Sequence, residues 1–185
     1  MTQKVKAMYV LVRAFLVGIV ALLLVCGCTG KGDDDKQTTR NRAPHFVVQD
    51  LRGKSLRLED LRGKVVLLNF FATWCGPCRR EIGELVKLYE KFRETGLEVV
   101  GVSLDMEGAA VVAPFVKHYK ITYPVVIGTR KMVVDYGGIS GVPTSFIIDR
   151  DGMIAEHFVG LRPAQVLEAS VVELLKAKVA RAQHF

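Results

Sequence analysis

Phe71-Ala-Thr-Trp-Cys-Gly-Pro-Cys-Arg79 decides how the rest of this chain is read. Before it, Val65 to Phe71 is a nearly continuous apolar run, the pattern of a strand buried on both faces. After it, Ile82, Leu85, Val86, Tyr89 and Phe92 recur at helical spacing, and Gly96 supplies a stop. Cys75 and Cys78 therefore stand where a strand hands over to a helix running from Pro77 to Thr95. A lone C-x-x-C is a weak signal, and this context makes it a strong one.

A helix N-terminus presents unpaired N–H groups and a partial positive charge. A thiolate there is stabilised, so Cys75 is expected to be the more acidic and reactive thiol. Arg79 and Arg80 add positive charge beside it, and Glu81 opposes them. Two intervening residues let the sulfurs meet across the first turn. The expected order is attack by an exposed Cys75, then intramolecular resolution by a shielded Cys78, with Trp74 covering the pair. Two other uses of the cysteines are weaker. Half of a zinc site needs a second Cys/His pair, and His45, His118, His157 and His184 are scattered. A purely structural disulfide across two residues closes little chain and gains little entropy.

Outward from this centre, Phe46 to Leu58 reads as a hairpin turning at Arg52-Gly53-Lys54, and Glu59 to Leu61 as a brief helical turn. Leu97 to Leu104 is a second buried strand. Gly108 to Tyr119 is a shorter helix that Pro114 begins or kinks. Pro124 to Ile127 is a short strand, and Met132 to Tyr136 is helical. Thr144 to Asp149 and Met153 to Val159 flank the turn Arg150-Asp151-Gly152 as an antiparallel pair. Pro163 suits the first turn of a long closing helix to Ala182. Buried strands alternating with helices, then a terminal hairpin and helix, give an α/β fold with a central mixed sheet flanked by helices.

The N-terminal part differs in kind. Lys4 and Lys6 precede an apolar stretch that is uninterrupted from Ala14 to Cys26, short for a span but suited to a signal-peptide core. It ends in Val25-Cys26-Gly27-Cys28, which resembles a bacterial lipobox: Gly27 is the small residue needed before a lipidated Cys28. The other reading is an uncleaved anchor from Ala7 to Val25. Both export the remainder of the chain and leave it on a membrane. Thr29 to Ala43 is polar, cannot pack a core, and reads as a flexible tether reaching about 50 Å. The expected organisation is a lipoprotein signal peptide over 1–27, lipidated Cys28 and tether over 28–43, and one domain over 44–185. The location is extracytoplasmic, on the periplasmic face or cell surface.

The 185 residues carry a formal charge of +7. Lys4, Lys6 and Arg13 belong to the leader, and removing them leaves 23 basic against 19 acidic residues. That small, dispersed excess lacks the basic, aromatic-interleaved surface of a nucleic-acid binder, so no nucleic acid is expected.

Trp74-Cys-Gly-Pro-Cys78 resembles the active site of the thioredoxin superfamily, and Gly141-Val-Pro-Thr-Ser-Phe-Ile-Ile-Asp149 resembles its loop with a cis proline. Their order and separation, the preceding hairpin and the extra helix near Gly108 resemble the TlpA/ResA-like branch, exported and membrane-tethered, over roughly Ala43 to Lys178. The resemblance implies a thioredoxin fold with an N-terminal β-hairpin and an inserted helix. It implies catalytic Cys75 and Cys78, supported by Trp74, Gly76, Pro77, Val142 and Pro143, with a cis Val142–Pro143 bond facing Cys75. It implies no metal and no cofactor beyond the redox-active Cys75–Cys78 disulfide.

The function it implies is a protein-disulfide reductase. Electrons would come from a membrane thiol-electron transporter and go to disulfide-containing exported proteins, apocytochrome c in cytochrome c maturation among them. A disulfide oxidase or isomerase uses the same cysteines in the other direction. A copper metallochaperone using Cys75, Cys78 and a His is the alternative of a different class. A peroxidase would need a peroxidatic cysteine motif that this sequence lacks. Asn69 stands where thioredoxin has a buried Asp, so that proton acceptor is absent. The resemblance implies an acid near the inserted segment instead, Glu107 or Asp105. Both also read as solvated acids capping the helix at Gly108.

Overall fold

The computed structural model describes residues 41–182, with side chains described to residue 177. The leader, Cys28 and most of the tether lie outside the described residues. Five strands form the central sheet: β3 (Val65–Phe71), β4 (Leu97–Ser103), β5 (Val125–Ile127), β6 (Thr144–Ile148) and β7 (Ile154–Val159), in the order β5-β4-β3-β6-β7. β3, β4 and β5 run parallel, and β6 and β7 return antiparallel. The parallel connections pass through α1 (Gly76–Phe92) and α2 (Ala109–His118). A short α3 (Arg130–Asp135) precedes β6, and α4 (Ala164–Ala182) closes the chain.

Every residue of β3 and β4 is buried, as their mostly apolar runs foretell, with Asn69, Glu98 and Ser103 the polar residues among them. Alternate residues then divide two cores. Val65, Leu67 and Phe71 meet Cys78, Ile82, Leu85 and Leu167 beneath α1 and α4. Val66, Leu68 and Phe70 meet Phe46, Leu58, Met132 and Phe146 on the other face. Asn69 belongs by alternation to the first face and is the polar residue of its row.

The hairpin of β1 (Val47–Gln49) and β2 (Ser55–Arg57) closes on Asp50, whose Oδ1 accepts from the amides of Arg52 and Lys54 at 2.9 Å each. Leu51 N–H donates to Val125 O at 2.9 Å and Asp50 bridges Val126, so the hairpin covers the edge of β5. Pro114 lies inside α2, which starts at Ala109, so of the two expected roles it does not begin the helix. One sequence expectation changes, since ordered structure starts before Ala43: Arg42 bridges Met153, Ile154 N–H donates to Asn41 O at 2.8 Å, and Ala43 is buried. These contacts are backbone pairings along the start of β7, so polar side chains gave no sign of them.

Candidate active site

β3 ends at Phe71, whose carbonyl accepts from Leu104 N–H at 2.9 Å, and five residues later α1 begins. Cys75 is the N-cap of α1, in extended conformation, with Pro77 in the first turn. Its Sγ accepts from the amide of Cys78 at 3.2 Å and is bonded to Cys78 Sγ, with the two Cα atoms 5.3 Å apart. The helix N-terminus thus points an N–H group at the sulfur that sequence reasoning assigned as nucleophile. A thiolate at Cys75 accepts the same bond with charge assistance.

Val142–Pro143 is a cis peptide bond, and Cys75 Sγ lies 3.5 Å from the carbonyl oxygen of Val142. The loop is held by Thr144 Oγ1 donating to Gly141 O and Gly160 N–H donating to Pro143 O, both at 2.8 Å. Thus the two motifs, far apart in sequence, meet across the ends of β3 and β6. One detail differs from expectation. Cys75 is only 4% exposed in the disulfide, because its sulfur turns inward against Cys78 and Val142. Trp74, next to it in sequence, is 68% exposed.

The acids separate sharply. Asp105 is buried and fully engaged: Thr73 Oγ1 donates to Oδ1 at 2.6 Å, Ser103 Oγ to Oδ2 at 2.7 Å, and Thr73 N–H to Oδ2 at 3.0 Å. It clasps the loop after β4 to the loop carrying Trp74. Glu107 is exposed on that loop. The carboxyl sharing a helix face with Cys78 is Glu81, one turn along α1 and 3% exposed. Asn69 Nδ2 donates to its Oε2 at 2.8 Å, and Arg162 N–H to Oε1 at 3.4 Å. Burial pushes the Glu81 carboxyl above the usual range, while the Arg162 amide, the Asn69 amide and the Arg162 guanidinium pull it back.

From the sequence, Glu81 is only a charge opposing Arg79 and Arg80 beside the thiols. The missed signal was spacing: Cys78, Glu81, Ile82, Leu85 and Leu88 form the buried stripe of α1, so Glu81 is a charge written into a core position. Ser145 and Arg162 had no such signal. Among the described residues, no three His, Cys, Asp or Glu side chains stand close enough to hold a metal ion.

The profile of the AhpC/TSA family matches residues 39–157. The thiol-disulfide oxidoreductase ResA of Bacillus cereus is 38% identical over 160 residues, covering 83% of this chain and 92% of that protein. ResA of Bacillus subtilis is 39% identical over 118 residues, covering 64% of this chain and 65% of that one. Among solved structures, a thiol:disulfide interchange protein of the thioredoxin family from Chlorobium tepidum is 34% identical with a TM-score of 0.69, covering 74% of this chain and 97% of that one. Matched in sequence along most of its length, and carrying a disulfide that caps a helix opposite a cis proline, the chain belongs to the ResA-like thiol–disulfide oxidoreductases of the AhpC/TSA family and has their thioredoxin fold.

Proposed function

We propose that the chain works as an exported dithiol reductase, tethered to a membrane through lipid on Cys28, with no cofactor beyond its own cysteine pair. The observation that carries the chemistry is the division of labour along α1: Cys75 Sγ accepts the helix N-terminal amide and faces Val142, while Cys78 is buried one turn from Glu81. In the reduced protein the Cys75 thiolate attacks one sulfur of a substrate disulfide. A Cys75–substrate bond forms, the substrate S–S bond breaks, and the first substrate sulfur leaves as a thiolate. Glu81 takes the proton of Cys78. The Cys78 thiolate then attacks Cys75 Sγ, the mixed disulfide breaks, and the second substrate thiolate departs. Two electrons pass to the substrate, and the chain is left as the Cys75–Cys78 disulfide. An extended substrate strand lies along Val142 during these steps.

The reducing direction is supported by the Gly76–Pro77 pair, as in the thioredoxin motif, and export by the leader that ends at Cys28. Among the described residues no helix is long and apolar enough to cross a membrane. The substrates are exported proteins carrying a disulfide between accessible cysteines. Apocytochrome c fits, since haem attachment needs free thiols, and a membrane thiol-electron transporter would recharge the pair.

The reduction potential of Cys75–Cys78, measured in the full chain against a thiol buffer, tests the direction. A value at or below about −250 mV is expected. A value near about −120 mV would make the protein an oxidant and overturn the reading. Labelled fatty acid should enter the chain and be lost on Cys28→Ala; incorporation that survives the substitution removes the lipid anchor.

A further inference from the structure

Asn69 takes no part in the thiol exchange itself, yet both hydrogens of its amide are committed. Nδ2 donates to Glu81 Oε2 at 2.8 Å and to Ser145 Oγ at 2.9 Å. Asn69 and Ser145 are direct cross-strand partners in the β3–β6 register, and both are buried. On its other side Asn69 pairs with Gly101 of β4. A Cβ there would come within 3.2 Å of the Phe71 and Tyr123 rings, so β4 sends no side chain into the space beside the amide. Two acceptors on the nitrogen settle which way the amide faces, since a flip would set its oxygen against the Glu81 carboxyl.

We propose that Asn69 is a positioning residue for the thiol chemistry: its amide fixes Glu81 toward β6 and sets the pH at which that carboxyl takes the proton of Cys78. The proposal rests on the reading of Glu81 as proton acceptor. A donor aimed at a carboxylate favours the charged form, and burial favours the neutral one. Asn69 therefore pulls against the burial that favours the proton on Glu81. The other groups facing Glu81 act beside it. Arg162, from the segment before α4, also pulls the carboxyl down, through a backbone bond at 3.4 Å and a guanidinium that lies over the Phe158 ring. Tyr123, ahead of β5, is a buried phenol kept un-ionised by burial and by the charge of Glu81. Cys78, on the same helix, is the group being served.

The test is the pH dependence of the rate at which the reduced full chain reduces insulin disulfides, with circular dichroism as the check on folding. Asn69→Leu should move the limb on which the rate rises with pH upward by about one unit, roughly tenfold in proton affinity. Asn69→Asp puts two carboxyls on one site, which then hold a shared proton and move the limb up as well. The exchange Asn69→Asp with Glu81→Gln rebuilds an amide–carboxylate pair across the same gap. It should restore the limb that Glu81→Gln alone removes. A folded Asn69→Leu whose limb stays in place, while Glu81→Gln abolishes it, overturns the proposal and leaves the acid reading standing. A limb that survives Glu81→Gln defeats the acid reading itself. Should Asn69→Leu fail to fold, the exchange variant decides alone: no restored limb means Asn69 only packs.

Discussion

Asp105 and Glu81 are buried to nearly the same degree on either side of the cysteine motif, and the fold uses them in opposite ways. Asp105 sits where β4 ends and meets hydroxyl and amide donors from Thr73 and Ser103, so both oxygens are saturated. Glu81 sits on the core face of α1 and meets one good donor and one long one. A carboxylate surrounded by donors is a structural clasp. A carboxylate buried with fewer donors binds a proton more readily, and burial is the first cause of the raised Glu81 value. The two buried acids differ in the number of donors each meets.

The comparison can be broken or sharpened by substitution. The largest effects belong to the thiols both acids surround. Cys75→Ser should abolish disulfide reduction. Cys78→Ser should stall at the mixed disulfide, seen as a covalent substrate adduct on a non-reducing gel; an adduct that clears at the native rate would deny Cys78 its resolving role. Next comes Glu81→Gln, which keeps the shape and an acceptor for Asn69 but cannot take a proton. Resolution near neutral pH should slow by a factor on the order of 10².

The same variant carries a stability signature whose sign is set by linkage. The folded Glu81 carboxyl binds its proton more tightly than the unfolded one, for which the ordinary value is 4.5. Its contribution to stability is therefore fully present below that pH and is lost as pH rises through the raised folded value. Thermal melts should find Glu81→Gln equal to the native protein near pH 4 and more stable near pH 8. Melts in which the variant gains nothing at the higher pH would show that burial does not dominate at Glu81.

Asp105→Ala should act the other way, on the fold more than on the chemistry. Removing the clasp strands the Thr73 amide and two hydroxyls, a loss of about 2–4 kcal/mol by denaturant unfolding. The pH profile of turnover should keep its shape; a shifted profile would give Asp105 a share in proton transfer. Glu107→Gln closes the series. Exposed on the loop after β4, it should change stability by less than about 0.5 kcal/mol and leave the profile untouched.

The sequence by itself determined a great deal here. The double-faced apolar runs of β3 and β4, the stop at Gly96, the turns at Gly53 and Gly152 and the C-x-x-C at a strand-to-helix junction are local signals. They set elements, sheet class and reactive pair, because periodicity and turn chemistry act over a few residues. Where each acid points is a different matter. Glu81 looked like one more charge beside Arg80, and Asp105 like a helix cap. Only the packing of α1 on β3 turned Glu81 inward, and only the approach of the β3 and β4 loop ends brought Thr73 onto Asp105. Asn69 read as a lost acid until β6 placed Ser145 opposite it and α1 placed Glu81 above it. A buried side chain's proton affinity and bonding depend on neighbours distant along the chain, and those neighbours exist only once the sheet has closed.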